Sequence, residues 1–294
     1  MWLGIDIGGT NIKIGFSDGE EIVSKWIFPT REYRTPSALV DFLAGFVRRE
    51  DLSPIVGVGV GSPGLVSFPE GVVRIPPQFP GWGEVHLRDM LEDALGCPVF
   101  VVNDASLYIY GEAIKGAGRE YRKVVGFTLG TGSGGGIVVD GELLLGENGF
   151  AGEFGHIAIE PDGLQCACGN RGCLEAYISA KRLLECAVEK GIRVRSVKEL
   201  ARLARAGNKE AKYVFEMMGE YLGRAVGIVV NVFDPGIVVF GGGISRAFDL
   251  FIDVLKETIK DYTYRDENLP PVVMGELYQF GGVWGGALFA KKMA

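Results

Sequence analysis

The sequence predicts an α/β protein of two domains, and three observations carry that prediction. Short apolar runs alternate with longer amphipathic stretches along the chain. A strand, glycine turn, strand pattern occurs twice, at residues 1–16 and again at 124–139. The length, 294 residues, exceeds what one hydrophobic core ordinarily covers.

Residues 1–7 read as an apolar strand that runs into Asp6-Ile7-Gly8-Gly9-Thr10-Asn11, with a second strand at 12–16 and a third near 21–28. Gly8, Gly9 and Thr10 suit a turn whose backbone N–H groups approach an anion. The same three residues also suit an ordinary hairpin turn. Asp6 stands at the mouth of the turn, where a carboxylate can hold hydrated Mg²⁺, and Lys13 adds a cation. Residues 35–49 form an amphipathic helix with Leu39, Phe42, Leu43, Phe46 and Val47 on one face. A buried strand at 55–60 ends in Gly61-Ser62-Pro63-Gly64. A short strand at 72–75, a proline-rich loop at 76–83 and a helix at 84–95 follow. His86 falls on that helix with no cysteine or histidine near it, so it reads as a surface or packing residue. The strand at 98–102 delivers Asn103 and Asp104 at its C-terminal end, where ligands collect in open α/β sheets. Asp104 reads either as a general base oriented by its amide neighbour or as the N-cap of a helix at 105–114.

The opening pattern then returns: a strand at 124–129, a glycine turn at 130–136, a strand at 137–139, and a turn at Asp140-Gly141 into residues 142–145. This predicts an internal duplication, and two such hairpins suit a polyphosphate gripped from both sides.

Residues 153–175 concentrate the metal-binding chemistry. Glu153-Phe-Gly-His156 is followed by Cys166-Ala-Cys168-Gly-Asn-Arg-Gly-Cys173-Leu-Glu175. One imidazole and three thiols match the four ligands of a closed, structural Zn²⁺ site, and such a site leaves no open position for hydrolytic chemistry. Gly169 and Gly172 supply the tight turns of a metal knuckle. Glu153 and Glu175 flank the loop, so a metal there fixes two carboxylates.

Helices are predicted at 179–190 and 197–206, and a long one at 209–233 with Val214, Met218, Leu222, Val226 and Val230 in register. Asp234-Pro235-Gly236 stops it. A strand at 237–240 runs into Gly241-Gly242-Gly243-Ile244-Ser245, which opens a helix at 246–262 whose N-terminus suits a phosphate or a base. A last strand at 272–277 and a last helix at 281–292 complete the chain.

The net charge of −7 argues against nucleic-acid and anionic-membrane surfaces. Residues 225–233, the longest charge-free candidate, are too few to span a bilayer. Asp6 interrupts any signal-peptide run, so a cytoplasmic protein is expected. Of the five cysteines, Cys97 and Cys186 lie outside the metal loop and are expected as buried free thiols. The 45 glycines, about twice average usage, gather in short runs after apolar segments, as backbone-lined ligand loops do.

Taken together, residues 6–10, Gly61 to Gly64, Asn103-Asp104-Ala105, residues 129–136, Glu153 to His156, the cysteine set with Glu175, and Gly241 to Gly243 resemble the ROK family of sugar kinases. The resemblance covers nearly the whole chain. It implies two ribonuclease-H-like domains of the actin-like ATPase type with a cleft between them. The first is placed at residues 1–115, with the helix 281–294 packing back on it, and the second at 116–280. It implies phosphorylation of a hexose, commonly at the 6-hydroxyl, with ATP and Mg²⁺. By the same resemblance Asp104 is the base; Gly64, Asn103, Asp104, Glu153, His156 and Glu175 hold the sugar. Asp6, Gly9, Thr10, Asn11, Lys13, Thr131 and Gly132 serve the nucleotide's phosphates and Mg²⁺, Gly242 lies near adenosine, and His156, Cys166, Cys168 and Cys173 bind zinc. A homo-oligomer, dimer or tetramer, is implied as well. Two departures, Ser106 and Gln78 where many members carry Asn, leave the preferred hexose open among glucose, fructose, mannose and N-acetylated hexosamines. The donor is open too, because some relatives accept polyphosphate. The competing reading is a sugar sensor without turnover, and it would require the loss of Asp104 or Asp6, both of which are present.

Overall fold

The computed structural model describes residues 1–52, 54–76, 79, 81–264 and 267–294. Gln78 lies outside the described residues. Two compact units are resolved: one of Met1–Glu120, Gly136–Gly152 and Glu276–Ala294, the other of Tyr121–Gly135 and Glu153–Gly275.

The chain begins with β1 (Trp2–Ile7), β2 (Asn11–Ser17) and β3 (Ile22–Pro29), paired antiparallel in sequence. Then comes α1 (Pro36–Arg49), whose N-cap Thr35 accepts the Ala38 N–H at 3.2 Å. β4 (Gly57–Ser62) runs parallel to β1. A three-stranded sheet of β5 (Leu65–Ser67), β6 (Val72–Arg74) and β7 (Val85–His86) precedes α2 (Leu87–Leu95). β8 (Val99–Asn103), parallel to β4, leads into α3 (Asp104–Lys115). β9 (Lys123–Leu129), β10 (Ser133–Val139) and β11 (Glu142–Leu143) follow. The helices α4 (Glu175–Ile178), α5 (Ala180–Glu189), α6 (Val197–Arg205) and α7 (Lys209–Phe233) come next. Last are β12 (Ile237–Gly241), α8 (Ile252–Tyr262), β13 (Val272–Met274) and α9 (Gly281–Met293).

The expected duplication is visible in topology. One sheet has the order β3-β2-β1-β4-β8 and the other β11-β10-β9-β12-β13. In each, a turn-linked run of three strands is followed by two strands added in parallel. The second glycine turn is also shorter than the sequence predicts. β10 starts at Ser133 and takes Gly134 to Gly136 into the strand, so its tip is residues 130–132, the counterpart of 8–10. Gly136 sits in that strand because a Cβ there would meet Ser106 Cα at 3.1 Å and Ile109 Cβ at 2.9 Å.

Side-chain alternation explains how α9 joins the first sheet. In β4 the valines Val58 and Val60 are fully buried, and the alternate position, Gly59, lies against Gly286 of α9 so closely that no Cβ would fit. Gly4 of β1 meets Val283 in the same way. Glycines inside a helix each cost roughly 1 kcal/mol relative to alanine, so α9 gives up propensity for backbone-to-sheet contact.

In the second unit α7 buries Val214, Met218, Leu222, Val226 and Val230, the predicted stripe, all without exposure. A second stripe, Gly219, Gly223 and Gly227, receives α8, with Phe251 O, Leu255 O and Tyr262 Cβ at 2.7, 2.9 and 2.6 Å from where a Cβ would stand.

Several boundaries are corrected. The helix expected at 84–95 begins at Leu87, because Val85 and His86 pair with Val73 and Val72 as β7. His86 is therefore an exposed strand residue. The strand expected through residue 277 ends at Met274. The helix expected at 246–262 is a 3₁₀ run, Ile244–Leu250, broken at Ala247, and α8 starts only at Ile252. The break falls where Phe251, fully buried, packs on Gly219, so tertiary packing sets the start. Cys186 is buried as expected, but Cys97 is half-buried. Among the described residues no helix is long and apolar enough to cross a membrane.

Candidate active site

In the first unit the predicted residues gather at the ends of β1, β4 and β8. The tip 8–10 is closed by Gly8 N–H to Asn11 O at 3.0 Å, and Thr30 supports it, its hydroxyl donating to Gly8 O at 2.7 Å and its N–H to Thr10 O at 3.0 Å. Gly9 and Thr10 are exposed. Asp6, 8 % exposed, is paired with Lys13, Nζ to Oδ2 at 2.6 Å.

Asn103 and Asp104 divide the work that spacing alone could not apportion. Asn103 caps α3: its Oδ1 accepts the N–H of Ala105 at 3.0 Å and of Ser106 at 3.2 Å. Its Nδ2 donates to Gly64 O at 3.2 Å. Gly64 takes φ 90°, and a Cβ there would stand 2.6 Å from Arg74 O, so only glycine fits. Asp104 is thus the first residue of α3, not its cap. Its Oδ1 accepts the Ala105 N–H at 2.9 Å, at the positive end of the helix. Gly61 lets it come close: a Cβ there would lie 3.2 Å from Asp104 Cα.

In the second unit the four candidate metal ligands come together as the spacing predicts. His156, Cys166, Cys168 and Cys173 each present a ligand atom within 4.8 Å of the others. His156 Nδ1 is 3.8 Å from Cys166 Sγ, and Cys168 Sγ is 3.6 Å from Cys173 Sγ. A tetrahedron with metal–sulfur bonds of about 2.3 Å has edges of roughly 3.8 Å, so the donor set fits zinc. Burial, with Cys168 and Cys166 adding to it, pushes the Cys173 thiol up to about 12, and a bound cation is what would hold it as thiolate. Gly169 and Gly172 adopt φ 97° and 75°, as a knuckle requires. Gln165 Nε2 ties the loop down through Gly169 O at 3.0 Å and Asn170 O at 3.1 Å.

Glu153 is the N-cap of the 3₁₀ turn Phe154–His156. Burial holds its carboxyl above the ordinary range; the His156 imidazole opposes this and the Glu175 charge adds to it. Glu175 opens α4, and its Oε2 accepts the Ser133 N–H at 2.7 Å. This contact with the glycine tip was not legible in the sequence. Ser133 Oγ is buried and has no hydrogen-bond partner among the described residues. The third glycine turn presents no α-helix N-terminus. Gly242 takes φ 87°, packs on Leu129, and accepts the Ser245 hydroxyl at 2.7 Å.

Paired sheets of one topology, each with a glycine-tipped hairpin, define an actin-like α/β protein. The chain matches the ROK family model over residues 2–293, and it belongs to that family. It is 35% identical to a glucokinase of Thermotoga maritima, over 99% of this chain and 97% of the relative. It superposes on a ROK hexokinase from Thermus thermophilus with TM-score 0.87 and 35% identity, covering 99% of this chain and 97% of that one. A ROK glucokinase from Streptomyces griseus, solved with glucose and AMPPNP, gives TM-score 0.85 at 30% identity, covering 99% of each chain.

Proposed function

We propose that this chain is an ATP-dependent glucokinase that transfers the γ-phosphoryl group of ATP to the 6-hydroxyl of a hexose, glucose first. The observation that carries the reading is the placement of Asp104 at the first position of α3, with Asn103 taking the capping role beside it, in a chain that belongs to the ROK family over residues 2–293 and is 35% identical to a glucokinase.

Asp104 accepts the proton of the 6-hydroxyl as its oxygen bonds to phosphorus and the bond to the ADP oxygen breaks. General-base assistance of this kind is worth about 10²–10⁴-fold. Asn103 and Gly64, already joined by a hydrogen bond, bind the sugar on that side. Glu153 and Glu175 accept hydrogen bonds from sugar hydroxyls, as ionised carboxylates do. His156 has two ring nitrogens. Nδ1 faces Cys166 and would take the metal, which would leave Nε2 for the sugar. The backbone N–H groups of residues 9–11 and 131–132, with Thr10 and Thr131, cradle the phosphates, while Gly8 and Gly130 N–H close the two turns, and Gly242 lies against adenosine. Asp6, paired with Lys13, would hold Mg²⁺, which would supply charge neutralisation on the transferring phosphates. His156, Cys166, Cys168 and Cys173 would hold Zn²⁺, which supplies structural cross-linking of the loop.

The test is hexose-dependent ADP release across glucose, mannose, fructose and N-acetylglucosamine, with kcat/KM for each. Glucose is expected to lead, and Asp104→Asn to lose at least about 10²-fold in kcat. Wild-type turnover in that variant would remove Asp104 as the base.

A further inference from the structure

The glycine tip between β9 and β10 is held by the segment that leaves the metal loop. Glu175, two residues beyond Cys173, accepts the Ser133 N–H on Oε2 at 2.7 Å. A Cβ at Gly132 would collide with that oxygen and would push the carboxylate aside. A few residues on, Ala180 N–H donates to Gly130 O at 3.0 Å. On the other side Gly155, next to His156, packs on Ser133 O with no room for a Cβ. The tip is therefore fastened at its first residue, at its last, and on the peptide that follows.

We infer that Glu175 is a positioning residue for the nucleotide, in addition to its role toward the sugar: it holds the 130–133 turn in a conformation that leaves the Thr131 and Gly132 N–H groups for phosphate. The inference rests on reading that turn as a phosphate site. A Gly-Thr-Gly sequence has wide backbone freedom, so an unanchored tip would have to be ordered each time nucleotide binds. A hydrogen bond to a carboxylate is roughly twice as strong as a neutral one, which suits it to fix such a tip in advance. The two functions do not compete, because a carboxylate has two oxygens and about four acceptor sites, and the Ser133 N–H takes one.

The experiment measures the affinity of Mg²⁺ and a non-hydrolysable ATP analogue by calorimetry, without sugar, for the wild type, Glu175→Ala and Glu175→Gln. Glu175→Ala is expected to weaken nucleotide binding by roughly tenfold, the worth of one charge-assisted hydrogen bond. Glu175→Gln keeps an acceptor oxygen for the Ser133 N–H but loses the charge assistance, and is expected roughly threefold weaker than wild type, although both variants lose hexose affinity. Zinc content and melting temperature show that the loop is intact. If the alanine variant does not fold, Glu175→Asp, which draws the carboxylate back by one methylene, is expected to give the same weakening in smaller measure. Wild-type nucleotide affinity in folded Glu175→Ala overturns the positioning role and leaves the kinase reading standing. No nucleotide binding by the wild type overturns both.

Discussion

Lys13 Nζ stands 2.6 Å from Asp6 Oδ2, and the two residues face each other in the register of β1 and β2. The carboxylate has a second neighbour that sets its place: Gly282, in the first turn of α9, where a Cβ would stand 3.0 Å from Asp6 Cγ and 3.2 Å from Oδ2. Gly282→Ala therefore separates stability from function. Alanine favours the helix by about 1 kcal/mol, so the melting temperature is expected to hold, while the Asp6 carboxylate must shift by a few tenths of an ångström. A displacement of that kind at a metal-holding group is expected to raise the KM for Mg-ATP by roughly three- to tenfold, with hexose KM unchanged. Steady-state kinetics beside a thermal melt decide it; an unchanged KM for Mg-ATP means that Gly282 serves packing alone.

Among the described residues Glu112 is the most deeply buried charged residue outside the proposed machinery, with no exposure at all. Its two oxygens accept from Tyr108 Oη at 3.2 Å and from the N–H groups of Ala117, Glu276 and Leu277 at 3.0, 3.0 and 2.8 Å. Four donors on one carboxylate join the end of α3 to the segment before α9. Glu112→Leu fills similar space but strands three partly buried N–H groups, each costing up to about 1–3 kcal/mol. The expected loss of stability is roughly 3–5 kcal/mol, and Glu112→Gln, which keeps one acceptor oxygen, is expected to lose less. Chemical denaturation of both variants gives the comparison, and a leucine variant as stable as wild type would sink the account.

What could be read from the sequence, and what could not, follows from the range of the interactions involved. The stripe on α7 and the strands around the first glycine tip are periodic signals over neighbouring residues, and they stand where predicted, whereas around the second tip β10 begins at Ser133 and not at 137. The metal loop is equally local, since its four ligands and two turn glycines lie within one short stretch. The choice between Asn103 and Asp104 as cap needed geometry, because both residue types cap helices well. The start of α8 and the short strand β7 are set by partners far along the chain, Gly219 and Val72–Val73, and no local window contains them. Glu175 on Ser133 and Gly282 against Asp6 are tertiary contacts of the same kind, without a spacing rule to betray them.

Removal of the metal tests the loop. Structural zinc in small modules supplies about 10–16 kcal/mol of apparent binding free energy, and here the loop carries Glu153 and Glu175 at its ends. Prolonged treatment with a strong chelator, or Cys173→Ser, is expected to lower the melting temperature and to raise the KM for hexose at least about tenfold. Readdition of zinc should restore the chelated protein and not the variant. Metal analysis should find one zinc per chain. A protein that keeps full activity and the same melting temperature with no metal bound would show that the thiols and imidazole hold the loop by themselves.

The acid side of the pH profile should carry the signature of Glu153. Burial raises its carboxyl above the ordinary range, the His156 imidazole opposes this, and the Glu175 charge adds to it. Only the ionised form accepts hydrogen bonds from sugar hydroxyls at both oxygens. Hexose affinity is therefore expected to fall, as pH drops, at values above the ordinary glutamate pKa of about 4.3. The contribution to folding has the opposite sign. A carboxyl with a raised folded pKa favours the protonated native state, so its stabilisation is fully present below the unfolded pKa and is lost as pH rises through the folded one. Across that window, acidification strengthens the fold at this residue while it weakens sugar binding. Profiles of hexose KM against pH for the wild type and Glu153→Gln isolate the group. The glutamine variant, neutral throughout, is expected to show a high KM without this acid limb. A wild-type KM that stays flat down to the ordinary carboxylate range would remove Glu153 from the sugar contact.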